Sequence, residues 1–127
     1  MSHHYAKHYT PEAARLLLPD VRQWLRRLVE SRGNLEKLDA RIAALRTAGD
    51  DLGGDTVNEW ARVMAEIRQV LLEFHRREIQ IKDLDRGLID FPAIIGGREV
   101  FLCWEQGEDD IGFWHDLDAG YGGREPL

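Results

Sequence analysis

Apolar residues recur at helical spacing through the first part of the chain and then change period. They fall at Leu17, Val21, Trp24, Leu28, Leu35, Leu38, Ile42 and Leu45, in steps of 4, 3, 4, 7, 3, 4 and 3. That is a heptad seam whose one missing position is Ser31. Thr10-Pro11-Glu12 supplies its start: a capping hydroxyl, a proline at the first helical position and an acid beside the positive helix end. Pro19 interrupts the run, so either one long helix is kinked there or a short helix over about 11–18 precedes a longer one. Residues 47–55 are a turn by composition. Thr56-Val-Asn-Glu59 then matches a capping box, followed by Val57, Trp60, Met64, Ile67, Leu71 and Phe74 at steps of 3 and 4. Glu73 and Arg77 add an i,i+4 pair. The pattern predicts an antiparallel, coiled-coil-like helical hairpin over residues 10–80.

Helix geometry adds a constraint. A second helix over roughly 56–80 is about 37 Å long at 1.5 Å per residue and, folded back, reaches only to about residue 22 of the first. Leu16, Leu17, Leu18 and Val21 then overhang, and the C-terminal segment is the available cover. Val63, Val70 and Leu72 widen the apolar surface of the second helix beyond one seam, which leaves room for a dimer through the helices.

After Ile79 the period becomes two. Leu88-Ile-Asp-Phe91 and Pro92-Ala-Ile-Ile95 lead to Gly96-Gly97, a hairpin signal between β-prone runs. Val100, Leu102 and Trp104 take one face of the next strand and Phe101 and Cys103 the other, the pattern of a central strand covered on both sides. Gln106–Asp110 reads as a turn and Ile111–Trp114 as a third strand, with Pro92 at an edge or bulge and residues from His115 onward as an ordered loop. The expected fold is α+β: one domain over 1–127, with the hairpin at 10–80 and a three-stranded antiparallel β-meander and loop at 87–127.

Composition narrows the function. The 127 residues fit a soluble single domain, 43% hydrophobic and 31% charged, with no apolar run long enough to span a membrane and no secretory leader. A lone cysteine, Cys103, excludes an internal disulfide and fits a reducing cytoplasm, where we expect the protein. A net charge of −6 argues against nucleic acid as a partner. The charge is uneven. Residues 87–127 hold nine carboxylates against Arg98 and Arg124, a charge of −7, which leaves +1 for the preceding eighty-six residues. The same segment carries six of the eleven aromatics, Cys103 and His115.

These residues carry a likeness. The set Gly87-Leu-Ile-Asp-Phe-Pro-Ala93, Gly97-Arg-Glu-Val-Phe-Leu-Cys-Trp104, Gly107-Glu108, Phe113-Trp-His-Asp116 and Gly120 through Arg124 resembles an uncharacterised bacterial family, the domain of unknown function 2203. Tyr9-Thr-Pro-Glu-Ala-Ala and Leu17-Leu-Pro19 resemble that family's first helix, so the likeness covers nearly the whole chain. It implies no activity.

Several constellations are chemically suggestive. His115-Asp116, with His75 and Asp118, is the residue set of a metal-dependent phosphohydrolase, but neighbours on a strand point to opposite faces, which argues against one metal taking both. A looser site could join His115 to Glu105, Asp118 or Asp90 around zinc, manganese or iron. Glu108-Asp109-Asp110 lacks the alternating acids of a calcium loop and reads as a solvated turn. Arg124, one of two bases among nine acids, is expected to pair with Asp90, Glu105 or Asp116. Cys103 reads as an inert core thiol, Trp104 and Trp114 as core, and His3, His4 and His8 as part of a frayed terminus. The reading that results is a non-catalytic binding or interaction module. It is expected to self-associate through the helices and to take a protein partner at His115, Asp116, Glu105, Arg124, Asp90 and Trp114. The alternatives are a small metal-dependent hydrolase centred on His115, with Glu105, Asp90 and Asp118 as ligands or base and His115, Glu105 and Asp118 as the metal set, and a purely structural coiled coil.

Overall fold

In the computed structural model, which describes residues 2–49 and 54–127, Thr10 caps the first helix: its hydroxyl accepts the Ala13 N–H at 3.1 Å. From there α1 runs unbroken over Pro11–Thr47, with Pro19 inside it. One helix therefore replaces the alternative of two, although Pro19 has no N–H for the Arg15 carbonyl. The tip of the expected turn, residues 50–53, lies outside the described residues. The second helix, α2, spans Gly54–Arg76, so Thr56 and Glu59 sit inside its first turns and do not cap it.

The helix expected to reach residue 80 stops four residues short because its end is closed. Ile79 N–H donates to the Phe74 carbonyl at 3.0 Å and Glu78 N–H to the His75 carbonyl at 3.0 Å, a Schellman arrangement. The residue turning the chain there is Glu78, at φ 58°, where glycine is usual. A strand begins immediately.

The sheet has five antiparallel strands in chain order, not three: β1 (Gln80–Asp83), β2 (Leu88–Ile95), β3 (Arg98–Glu105), β4 (Phe113–Asp116) and β5 (Glu125–Pro126). The fold is α+β. The two unforeseen strands are the edges. One is largely polar and the other is two residues long, so neither carries an alternation to read. β4 begins at Phe113, two residues later than expected, because the Ile111 N–H is held by the Asp110 side chain at 2.7 Å and not by a strand.

Two glycine sites set the register. Gly96 and Gly97, at φ 58° and 78°, make the two-residue turn that pairs Ile95 with Arg98 and, further along, Asp90 with Cys103. Gly87, at φ 63°, closes the β1–β2 turn where an added Cβ would lie 2.6 Å from that of Gln106.

The chain divides into two compact units, one of residues up to Gln23 with Glu73–Leu127, the other of Trp24–Leu72. In the first, β3 is the middle strand, and Val100, Phe101, Leu102, Cys103 and Trp104 are all buried, as a doubly covered strand requires. Paired residues of an antiparallel sheet share a face. One face thus carries Ile89, Phe91, Leu102 and Trp104, and on this side the Arg22 guanidinium lies 5.5 Å over the Trp104 ring. Ala14, Leu18 and Val21 are buried at helical spacing in the same unit. Leu16, expected to need cover, is 80% exposed because it points away from that stripe. The opposite face carries Asp90, Pro92, Phe101, Cys103 and His115.

The N-terminal segment is fastened, not frayed. Glu99 accepts the His4 and Tyr5 N–H groups at 2.8 and 3.0 Å, and Glu78 accepts that of Ala6 at 2.9 Å. Tyr5 lies 5.5 Å from the Phe101 ring. The Tyr9 N–H donates to the Pro92 carbonyl at 2.7 Å, alongside a stretch of β2 that β1 does not reach. Pro92 is thus on an interior strand by order but at a local edge, which is where its missing N–H is tolerated.

In the second unit, Trp24, Leu25, Leu28, Ser31 and Leu38 of α1 and Val63 and Val70 of α2 are buried. Trp60 Nε1 donates to Asp39 at 2.9 Å. Ser31, the polar break in the seam, is 8% exposed.

Candidate functional site

Three chemistry-bearing side chains meet on the face of the sheet under Phe101. Asp90 stands on β2 opposite Cys103 on β3, and His115 on β4 stands opposite Phe101. His115 therefore reaches diagonally across β3. Its Nε2 is 3.0 Å from Asp90 Oδ2, and the Cys103 sulfur lies within 4.8 Å of the donor atoms of both. Asp90, Cys103 and His115 are 1%, 0% and 2% exposed.

The hydrogen positions follow from the partners. His115 Nδ1–H donates to the Asp116 carbonyl at 2.7 Å, since a carbonyl only accepts. That leaves Nε2 to face Asp90. Burial pushes the Asp90 carboxyl up, and the opposing pulls of His115, the Cys103 thiol and Lys82 are smaller. The raised carboxyl favours its protonated form, in which Oδ2–H donates to Nε2. Asp90 Oδ1 keeps no hydrogen-bond partner, with the weakly donating thiol beside it.

Cys103 is inert for the same reason. Burial and the neighbouring Asp90 push its thiol up to about 12. The thiolate is the nucleophile, so a thiol held this high is unreactive near neutral pH. A disulfide exchange reagent added to the native protein should label Cys103 no faster than the protein unfolds, and promptly in denaturant. Prompt labelling of the native protein would contradict the buried assignment.

A thiolate, an imidazole and a carboxylate are also a zinc-type donor set. Asp90, Cys103 and His115 fit its chemistry, but a structural zinc takes four ligands, and the described residues give this cluster three. As it stands the arrangement joins β2, β3 and β4 by side chains under an aromatic cover.

The other expected site residues are each held elsewhere. Glu105 receives Arg86 Nε at 2.8 Å, which holds its carboxyl below the ordinary range. Asp116 pairs with Arg98, whose guanidinium also lies 5.7 Å over the half-buried Trp114 ring. Asp118 is exposed and lines a shallow groove with His4, Arg98, Glu99 and Asp116. His75 is exposed at the end of α2. Of the residues expected around His115, Asp90 meets it, joined by Cys103, whereas Glu105 and Asp118 are not in that cluster.

Arg124 pairs with none of its three expected partners. Its Nη2 donates to both Glu108 oxygens, at 2.8 and 2.7 Å, and its guanidinium stacks 3.8 Å over Phe113 and 4.6 Å over Tyr121. Glu108 is not merely solvated: it also accepts the Glu105 N–H at 2.7 Å, and its carbonyl accepts Trp104 Nε1 at 2.9 Å. Nor is Asp110, which receives Arg15 Nε at 2.6 Å. The turn joins β3 to the last residues of the chain.

The geometry accounts for the residues that made the sequence recognisable: Asp90, Cys103, Trp104, Glu108, His115 and Arg124 form the two polar centres of the sheet. A family model described as an uncharacterized conserved protein, DUF2203, matches residues 7–127. The chain belongs to DUF2203. No curated protein and no solved structure matches it. In this DUF2203 protein, sequence reading missed the Glu108–Arg124 pair and the place of Cys103 beside Asp90. The second was available, since a two-residue turn at Gly96-Gly97 puts residue 90 opposite 103. It also missed the approach of His3 and His8 to Glu99, for which no spacing gives a signal. No described helix is long and apolar enough to cross a membrane.

Proposed function

We propose that this protein is a non-catalytic interaction module that self-associates through its helices. The observation that carries this reading is a second apolar stripe on α2. Val57, Met64 and Leu71 stand seven residues apart, beside the buried positions Val63 and Val70, and are 43%, 39% and 45% exposed. Leu72 of α2 and Val29 of α1 are exposed in the same unit. A stripe of period seven matches another helix of the same period, and a second copy supplies one about a two-fold axis. The opposite flank of α2 carries Glu59 and Glu66, which line polar grooves with Arg27, Lys37 and Arg41 of α1, so only one flank is left apolar.

The reading draws support from the sheet as well. His115 is paired with Asp90 and Arg124 with Glu108, and Glu105 and Asp116 are in ion pairs with arginines. A hydrolase centred on His115 gains no support from this arrangement. The weight moves from the acidic tail to the helices.

Sedimentation across a concentration series tests it. The wild type should sediment as a dimer at high micromolar concentration, and Met64→Glu with Leu71→Glu should weaken association at least about tenfold while helicity is retained. A wild type that stays monomeric at high micromolar concentration would sink the proposal.

A further inference from the structure

The N-terminal segment brings two imidazoles to one carboxylate at the rim of the sheet. We propose that His3, His8 and Glu99 form a binding site for a divalent transition-metal ion of the zinc class, which clamps this segment to the start of β3. One donor atom from each residue lies within 4.8 Å of the others. His8 Nε2 is 2.8 Å from Glu99 Oε2, and the rings of His3 and His8 stand edge-on at 5.1 Å between centroids. Zinc bonds of about 2.0–2.2 Å to nitrogen and oxygen set neighbouring tetrahedral ligands roughly 3.3 Å apart. Small ring rotations at a terminal segment close the remaining distance.

Three features separate this set from a chance meeting of side chains. Two histidines and one carboxylate are a recurrent ligand set for first-row divalent ions, leaving further positions for water. Glu99 is oriented by the N–H groups of His4 and Tyr5, the supporting hydrogen bonds that ligating carboxylates carry. The site is also open. His3 is exposed, and a shallow groove of about 420 Å³ adjoins Glu99, lined by His4, Arg98, Asp116, Leu117 and Asp118. The buried cluster of Asp90, Cys103 and His115 lacks that access and a fourth ligand.

An ion here adds to the hydrogen bonds of His4, Tyr5, Ala6 and His8 that already fasten the segment. It ties residue 3 and residue 8 to a single point on β3, so the chain between them cannot lift. Binding of metal and order of residues 3–8 are then linked, since an ion that prefers the fastened segment stabilises it by mass action.

The test uses the full chain, purified without an affinity tag and stripped with chelator, titrated calorimetrically with zinc(II). One ion per chain is expected. His3→Ala leaves the His8–Glu99 hydrogen bond in place and should weaken zinc binding at least about tenfold, as should Glu99→Gln. His4→Ala, which removes a histidine outside the set, should leave the affinity within about twofold. Amide exchange at Ala6 and Lys7 should slow on adding zinc to the wild type and not to His3→Ala. Absence of zinc binding below 100 µM, or His4→Ala weakening it as much as His3→Ala, would overturn the proposal. So would zinc binding that leaves exchange in the segment unchanged.

Discussion

Replacing Asp90 with alanine should cost about 3 kcal/mol of stability, whereas asparagine at the same position should cost less than about 1.5 kcal/mol. Alanine leaves His115 Nε2 buried without a partner, a penalty of roughly 1–3 kcal/mol, and adds a cavity beneath Phe101. Asparagine preserves the shape, and its amide N–H can donate to Nε2 as the protonated carboxyl would. The difference also depends on pH, and its sign follows from the raised Asp90 carboxyl. A group whose pKa is raised by folding contributes stability that is full below its ordinary value, 3.8, and is lost as pH rises through the folded value. The wild type should therefore lose stability relative to Asp90→Asn over that window, and the variant should show no such slope. Urea denaturation of the three proteins from pH 4 upward measures both effects. Asparagine as damaging as alanine at every pH would mean that the ionised carboxylate is what the site needs.

Arg124→Ala should be nearly as severe, at about 3 kcal/mol, while Asp116→Ala should stay within about 0.5 kcal/mol. Both residues are ion-paired, so the contrast comes from burial. The Arg124 side chain is 9% exposed, stacks on Phe113 and Tyr121, and binds both oxygens of Glu108. Its removal leaves a half-buried carboxylate short of its strongest donor and uncovers two rings. Lysine should recover little, because it cannot stack a planar group on Phe113 and Tyr121. The Arg98–Asp116 pair is 62% and 47% exposed, and exposed pairs contribute little. Thermal unfolding of the two variants gives the comparison. Equal losses would indicate that Asp116 has a role in the loop beyond its pairing with Arg98.

Much of this architecture was legible before any coordinates. The heptad seam found both helices, and the two-faced apolar run found β3 as the central strand. Gly96-Gly97 found the β2–β3 hairpin, although the register it implies, Asp90 against Cys103, was not drawn from it. What escaped reading was held by single contacts of long sequence separation. Gln80–Asp83 becomes a strand only because Glu78 ends α2 in a conformation its residue type disfavours. Glu125-Pro126 becomes one only because Phe113 and Trp114 offer an edge. Arg124 was assigned to the wrong acids because nine carboxylates compete for it and charge alone cannot choose among them. Stacking on Phe113 and Tyr121 makes that choice. For the site, composition gathered the chemistry-bearing residues on the tail but could not show how the fold pairs them.

The hydrogen bond from Tyr9 to the Pro92 carbonyl has a consequence for handling the protein. Beyond the reach of β1, the backbone of β2 is shielded on that side by residues that look like a dispensable leader. Trimming them, or pulling them away with a fused partner, would bare a strand edge beside Phe91 and Phe101, the kind of surface on which another chain's backbone lays down a new strand. The short segment ahead of the first helix thus covers a strand edge that trimming would expose.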